Sequence, residues 1–136
     1  MQINQATTNQ QLAKQLITEP TAVFTALVPT ITLQDFAQST TVEGREAVIA
    51  AFDTFFHTAF VETAVEFNTL LADNHTATLS IVFSGRQVAP FWELPCTGRQ
   101  LTLSIAIIFH FHGGQISHIK LYYDAGTLLR QLGLAL

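Results

Sequence analysis

The sequence predicts an α+β fold, with helices packed on the concave face of a strongly curved antiparallel sheet. Three features carry that expectation. Apolar residues recur at helical spacing through the first sixty positions, four long β-branched, alternating segments then follow one another, and a leucine-rich helical pattern closes the chain. At 136 residues the chain is long enough to bury one substantial core, and one domain accounts for all of it.

The elements follow in order. Residues 1–10, "MQINQATTNQ", lack apolar periodicity and are expected as a flexible tail, with 11–136 as a single domain. Leu12, Leu16 and Ile17 begin a helical stripe that meets a stop at Glu19-Pro20 and resumes through Val23, Phe24, Leu27 and Val28 as far as Pro29. "TITLQDF" alternates like a strand. "VEGREAVIAAFDTFFHTAF" holds the clearest helix, with Val48, Phe52, Phe55, Phe56, Ala59 and Phe60 on one stripe and Glu46 in the first turn. The four strand segments are "TAVEFNTLLA", "TATLSIVFSGRQVA", "RQLTLSIAIIFHFH" and "QISHIKLYY". The last two are joined by Gly113-Gly114, a two-residue turn suited to a tight hairpin. A sheet curved in this way encloses a cone-shaped space whose mouth is a natural ligand pocket.

Composition narrows the function classes. A net charge of −4 and six scattered Lys and Arg residues exclude a phosphate-tracking face, so no nucleic acid is expected as partner. With 49% apolar and only 12% charged residues, part of the surface must itself be apolar, which points to a partner face or a cavity. The single Cys96 cannot form an intramolecular disulfide, and the polar start of the chain is no signal segment, so a cytoplasmic setting is expected. The longest apolar stretch, Leu101 to Phe111, is interrupted by Thr102 and Ser104 and is too short for a membrane helix, so no membrane partner is expected either.

The runs "VEGREAVIAAF", "PCTGRQLTLSIAIIFHFHGGQISHI" and "DAGTLLRQLGL", in this order, resemble the SnoaL-like polyketide cyclase family of the nuclear-transport-factor-like, cystatin-like superfamily. The resemblance spans roughly Ile31 to Leu134. It implies a cone-shaped fold with a cavity between sheet and helices, and a homodimer formed through the outer sheet face. It also implies an intramolecular aldol closure run by a cavity Asp and His, with no metal or organic cofactor. Two departures stand out. The family's His and Asp in the last strand fall on Ile119 and Leu121, which transfer no protons, and Arg86-Gln87 stands where many relatives carry Thr-His after the strand glycine.

An unbulged ladder from the Gly113-Gly114 turn pairs His110 with Ser117, Ala106 with Leu121 and Ser104 with Tyr123 on one side. The resemblance places Ile119 and Leu121 inside, so this side is expected to face the cavity. On that basis His110 is the candidate base, Tyr123 the hydrogen-bond donor to an enolate, and Ser104, Ala106 and Leu121 ligand-facing. Asp124 has two readings. It is an acid beside Tyr122 and Tyr123, and it directly precedes a helix pattern for which Asp is among the best caps; the cap is favoured, and Asp124 stays on the catalytic list.

Phe36, Phe56 and Phe60 are candidate cavity walls, Trp92 a lid or an apolar cover, and Gln87 a hydrogen-bond donor at the pocket mouth. Asp35, the remaining strand acid, resembles part of an epoxide hydrolase arrangement if paired with Arg86 or Arg99, but no second acid completes it. His110 and His112 share a strand face without a third converging ligand, so no metal site is assigned. The expected function is an apolar cavity for a hydrophobic, carbonyl-bearing small molecule, acting as a cyclase or isomerase by proton abstraction. The alternative is a non-catalytic ligand-binding or dimerisation module of the same fold.

Overall fold

The computed structural model describes residues 4–134. Helix α1 spans Gln5–Thr18 and is followed by a 3-10 segment, Pro20–Ala26. Strands β1 (Leu27–Asp35) and β2 (Thr40–Glu43) precede helix α2 (Arg45–Asp53), which ends in one π-helical turn at Thr54–Thr58. Strands β3 (Phe60–Ala72), β4 (Thr76–Gln87), β5 (Gln100–His112) and β6 (Gln115–Tyr122) then lead to helix α3 (Ala125–Gln131). The six strands form one sheet in the order β2-β1-β6-β5-β4-β3. Every pairing is antiparallel except β1 with β6, so the antiparallel meander is joined to the N-terminal hairpin by one parallel ladder.

The helices cover one face. Along β5 the odd positions from Leu101 to Phe111 are buried, and Ala77, Leu79, Ile81 and Phe83 continue that face on β4. Bulges interrupt the ladders of β3 with β4 and of β5 with β6, and such insertions bend and twist a sheet locally. Gly85 sits where β3 starts its first bulge. A Cβ there would lie 3.1 Å from Phe60 Cβ and 3.0 Å from Thr63 Cγ2, so the close approach of the two strands needs the missing side chain. Beneath the helices an aromatic cluster is centred on Phe55, which meets Phe83 at 4.7 Å, Trp92 at 4.8 Å and Phe91 at 5.3 Å between ring centroids.

The N-terminal expectation is corrected. Residues 1–3 lie outside the described residues, but 4–10 form no tail: Asn4 caps α1 by accepting from Ala6 N at 2.8 Å. Polar contacts dock this segment, not an apolar stripe. Asn9 donates to the Asp73 carbonyl at 3.0 Å and Gln10 to the Leu70 carbonyl at 2.9 Å. Helical residues also give way to the 3-10 segment from Pro20 and to β1 from Leu27; Pro29 sits in β1 where pairing with β6 is interrupted, so its missing N–H costs no ladder bond there.

Candidate functional site

The decisive correction lies in the last hairpin. Gly113 and Gly114 take φ of 59° and 80°, as a primed two-residue turn requires, and His112 pairs with Gln115 as the unbulged count expects. Ser117 then stands as an extra residue. Beyond it His110 pairs with His118, Phe109 with Ile119, Ile107 with Leu121 and Ala106 with Tyr122. Strand period two does the rest: Ile119 and Leu121 stay on the buried face, while His110, Ser104 and Ala106 are carried to the outer face, away from the helices. None of those three lines the cavity.

On the outer face His110 and His118 lie 5.7 Å apart between ring centroids. His118 bonds Thr32 Oγ1 through Nδ1 and Gln34 Oε1 through Nε2 at 2.7 Å. A donor to one side and an acceptor to the other fits a neutral ring, and burial, then His110 and Lys120, lower its pKa from the ordinary value. His110 Nε2 is buried with no hydrogen-bond partner among the described residues.

Two further expectations are corrected, at Phe36 and Gln87, while Asp124 takes the cap position favoured for it. Phe36 is exposed on the outer face, stacked on Tyr122 at 4.9 Å, because it is one residue out of phase with the inward Asp35. Gln87 is fully buried and serves the backbone: its amide donates to the Ala89 and Pro95 carbonyls and accepts from Thr97 N and Oγ1. Asp124 is an exposed N-cap of α3, accepting from Gly126 N, Thr127 N and Thr127 Oγ1. Those donors hold its carboxyl below the ordinary range.

A cavity of about 330 Å³ opens on the helix-covered face where β1 and β6 end. Leu33, Asp35 and Leu121 form its sheet side, Gln38, Thr40, Thr41 and Val42 one flank, and Ala51, Trp92 and Glu93 the other. Phe56 and Phe60 lie in the aromatic cluster and not among its lining residues. Trp92 stacks on Phe55 and donates from Nε1 to the Ala51 carbonyl at 3.1 Å, which fixes it as a wall.

Asp35 is the buried polar group of this cavity, 7% exposed. Its Oδ1 accepts from Ala37 N at 2.9 Å and Gln38 N at 3.0 Å, an Asx-type turn at the end of β1. Its Oδ2 accepts from Tyr123 Oη–H at 2.6 Å, and the Gln38 amide donates to the same tyrosine oxygen at 2.5 Å. Burial, then the bond to Asp35, raise the Tyr123 pKa far above that of a free phenol, so Tyr123 is a neutral donor. The carboxylate is thus held by neutral donors only, and Arg86 is engaged with Glu62 at 3.6 Å, not with Asp35. No group of three or more His, Cys, Asp or Glu that would hold a metal occurs among the described residues. No described helix is long and apolar enough to cross a membrane.

Residues 8–132 match the family described as SnoaL-like polyketide cyclase. The chain belongs to that family. No curated protein matches it significantly. Among solved structures, this SnoaL-like chain is similar to a SnoaL-like protein from Jannaschia sp. at 17% identity and TM-score 0.82, covering 100% of this chain and 99% of that one. It is similar to TsrD from Streptomyces laurentii at 23% identity and TM-score 0.75, over 95% and 97% of the two chains. An NTF2-like protein of unknown function from Cytophaga hutchinsonii matches at 14% identity and TM-score 0.68, over 88% and 99%. At these identities the likeness is one of fold, and the SnoaL-like chain's own cavity must carry any statement about chemistry.

Proposed function

We propose that this SnoaL-like protein binds an apolar, carbonyl-bearing small molecule at the Asp35–Tyr123–Gln38 end of its cavity and abstracts a proton beside the carbonyl, leading to cyclisation or isomerisation. The observation that carries this reading is the buried Asp35 carboxylate, bonded to a neutral phenol in a largely apolar cavity. Asp35 Oδ2 is the base. As it takes the proton, the C–H electron pair moves into the carbonyl, and Tyr123 Oη–H, no longer needed by a full carboxylate, turns to the enolate oxygen. Gln38 positions Tyr123 by donating to its oxygen. Ile119 and Leu121, at the positions where relatives carry proton-transfer groups, favour a second reading: a binding module without turnover. We also propose a homodimer through the outer sheet face.

Hydrogen–deuterium exchange at the α-carbon of hydrophobic aryl alkyl ketones, whose uncatalysed exchange at neutral pH is slow, followed by mass spectrometry, separates the two. Catalysis predicts accelerated exchange by wild type, a loss of about 100-fold or more in Asp35→Asn, and a smaller loss in Tyr123→Phe. Binding of these probes without accelerated exchange establishes the module reading instead.

A further inference from the structure

The charges around the cavity are all of one sign. Among the described residues, its charged lining residues are Asp35 and Glu93, with no Lys, Arg or His. The chain has six Lys and Arg residues, and none of them is among the described residues lining this cavity. Lys14 lies over the Phe67 ring and Arg45 over Phe24. Arg86 pairs with Glu62, Arg130 donates to Thr127 Oγ1, Arg99 packs against Gly133, and Lys120 stands on the outer face beside His110. Two acids therefore line one hollow, Asp35 buried within it and Glu93 exposed at its rim, and among the described residues neutral dipoles alone hold Asp35.

The backbone of Glu93 is held at the rim by an unusual turn, with its side chain exposed. Trp92 and Glu93 have φ of 47° and 66°, so both central residues of the Phe91–Leu94 turn are left-handed without being glycine. Reciprocal bonds between Phe91 and Leu94, at 3.2 and 2.7 Å, close the turn, and buried Phe91 and the Trp92–Ala51 bond anchor it. Side chains with a Cβ occupy that conformation only where surrounding contacts enforce it. The result is an aromatic wall and a carboxylate side by side at the rim, with the Tyr123 ring 6.2 Å from that of Trp92. An alkylammonium gains from both neighbours, by charge attraction and by its contact with the indole face, whereas an anionic group is repelled.

We propose that Glu93 is a specificity residue that, with Trp92, selects ligands bearing a protonated aliphatic amine, while Asp35 and Tyr123 engage the carbonyl end deeper in the cavity. This rests on the ligand site proposed above. The test is calorimetric titration, at neutral pH and low salt, of three aryl ketones: one with a dimethylaminoethyl tail, one with the uncharged 3-methylbutyl tail of the same shape, and one with a carboxyethyl tail. The amine binds about tenfold tighter than its neutral counterpart, and the carboxylate binds weakest. Glu93→Gln abolishes the amine's advantage and leaves the neutral ketone's affinity within about twofold, and added salt shrinks the advantage in wild type. If the neutral ketone binds as well as the amine, or the advantage survives in Glu93→Gln, the charge selection is wrong while the cavity site stands. If none of the three binds, the site and the selection fall together.

Discussion

Gln87 closes the 88–99 connection with one side chain. All four of its hydrogen bonds go to that segment, and the residue is fully buried. Replacing it with Leu strands two carbonyls and two donors, so Gln87→Leu loses about 3 kcal/mol or more in denaturant unfolding, with the loop that carries Trp92 and Glu93 opening first. Asp124→Asn keeps an acceptor for Gly126 and Thr127 and leaves the melting temperature nearly unchanged, while Asp124→Ala lowers it. Because the folded Asp124 pKa is depressed, its contribution is present above the ordinary carboxylate value near 3.8 and is lost as pH falls through the folded value, so wild type and Asp124→Ala converge in acid. The sequence did show Asp124 as a cap, because its signal is local. Asp35 and Gln87 were harder, yet both sit in core phase, Asp35 after Ile31 and Leu33 and Gln87 after Phe83 and Gly85. A polar residue in step with a buried row was the signal for each; what stayed hidden was the distant Tyr123 hydroxyl on Asp35 and the irregular path that brings Ala89, Pro95 and Thr97 back onto Gln87.

At the scale of elements, the single residue Ser117 decides which side chains see the cavity. The glycine turn was legible and gives the first two pairs correctly; the bulge was not, because Ser117 carries no glycine-like mark. Its trace is in the spacing of buried residues on β6: Ile116, Ile119 and Leu121 are separated by three and then two, which no unbroken strand allows. Deleting Ser117 removes the unpaired residue and leaves Ile116 opposite Phe111 and His118 opposite His110. Deleting Lys120 turns Leu121 out of phase. The Ser117 deletion therefore folds with a modestly lower melting temperature and native side-chain NMR dispersion, and the Lys120 deletion does not. Two equally unstable deletions would show that the register is set elsewhere. The short β2, four residues with no buried position, left no pattern in the sequence because an exposed edge strand needs none.

Across the whole molecule, the two faces of the sheet have different chemistry. The covered face is hydrocarbon apart from the groups at its cavity end; the outer face carries Ser80, Ser104, Ala106 and Ile108 around His110 and His118, with the Phe36–Tyr122 stack at one side. The ionisable side chains on that face include His110, His112, His118, Lys120, Arg86, Tyr122, Glu43 and Glu66, so protonating its histidines adds to the cationic groups there. Burial lowers the pKa of both His110 and His118 from 6.5. Below that value the unfolded chain binds more protons than the folded one, and stability is lost as pH falls toward the folded pKa values. A second copy on this face deepens the burial and brings like charges together, so the proposed dimer weakens over the same range. Sedimentation velocity should show a dimer at neutral pH that shifts to monomer near pH 5. Ala106→Arg, in the middle of the face and remote from the cavity, should give a folded monomer at both pH values. A wild-type protein that sediments as a monomer at neutral pH removes the dimer; a dimer indifferent to both acid and Ala106→Arg places the interface on another surface.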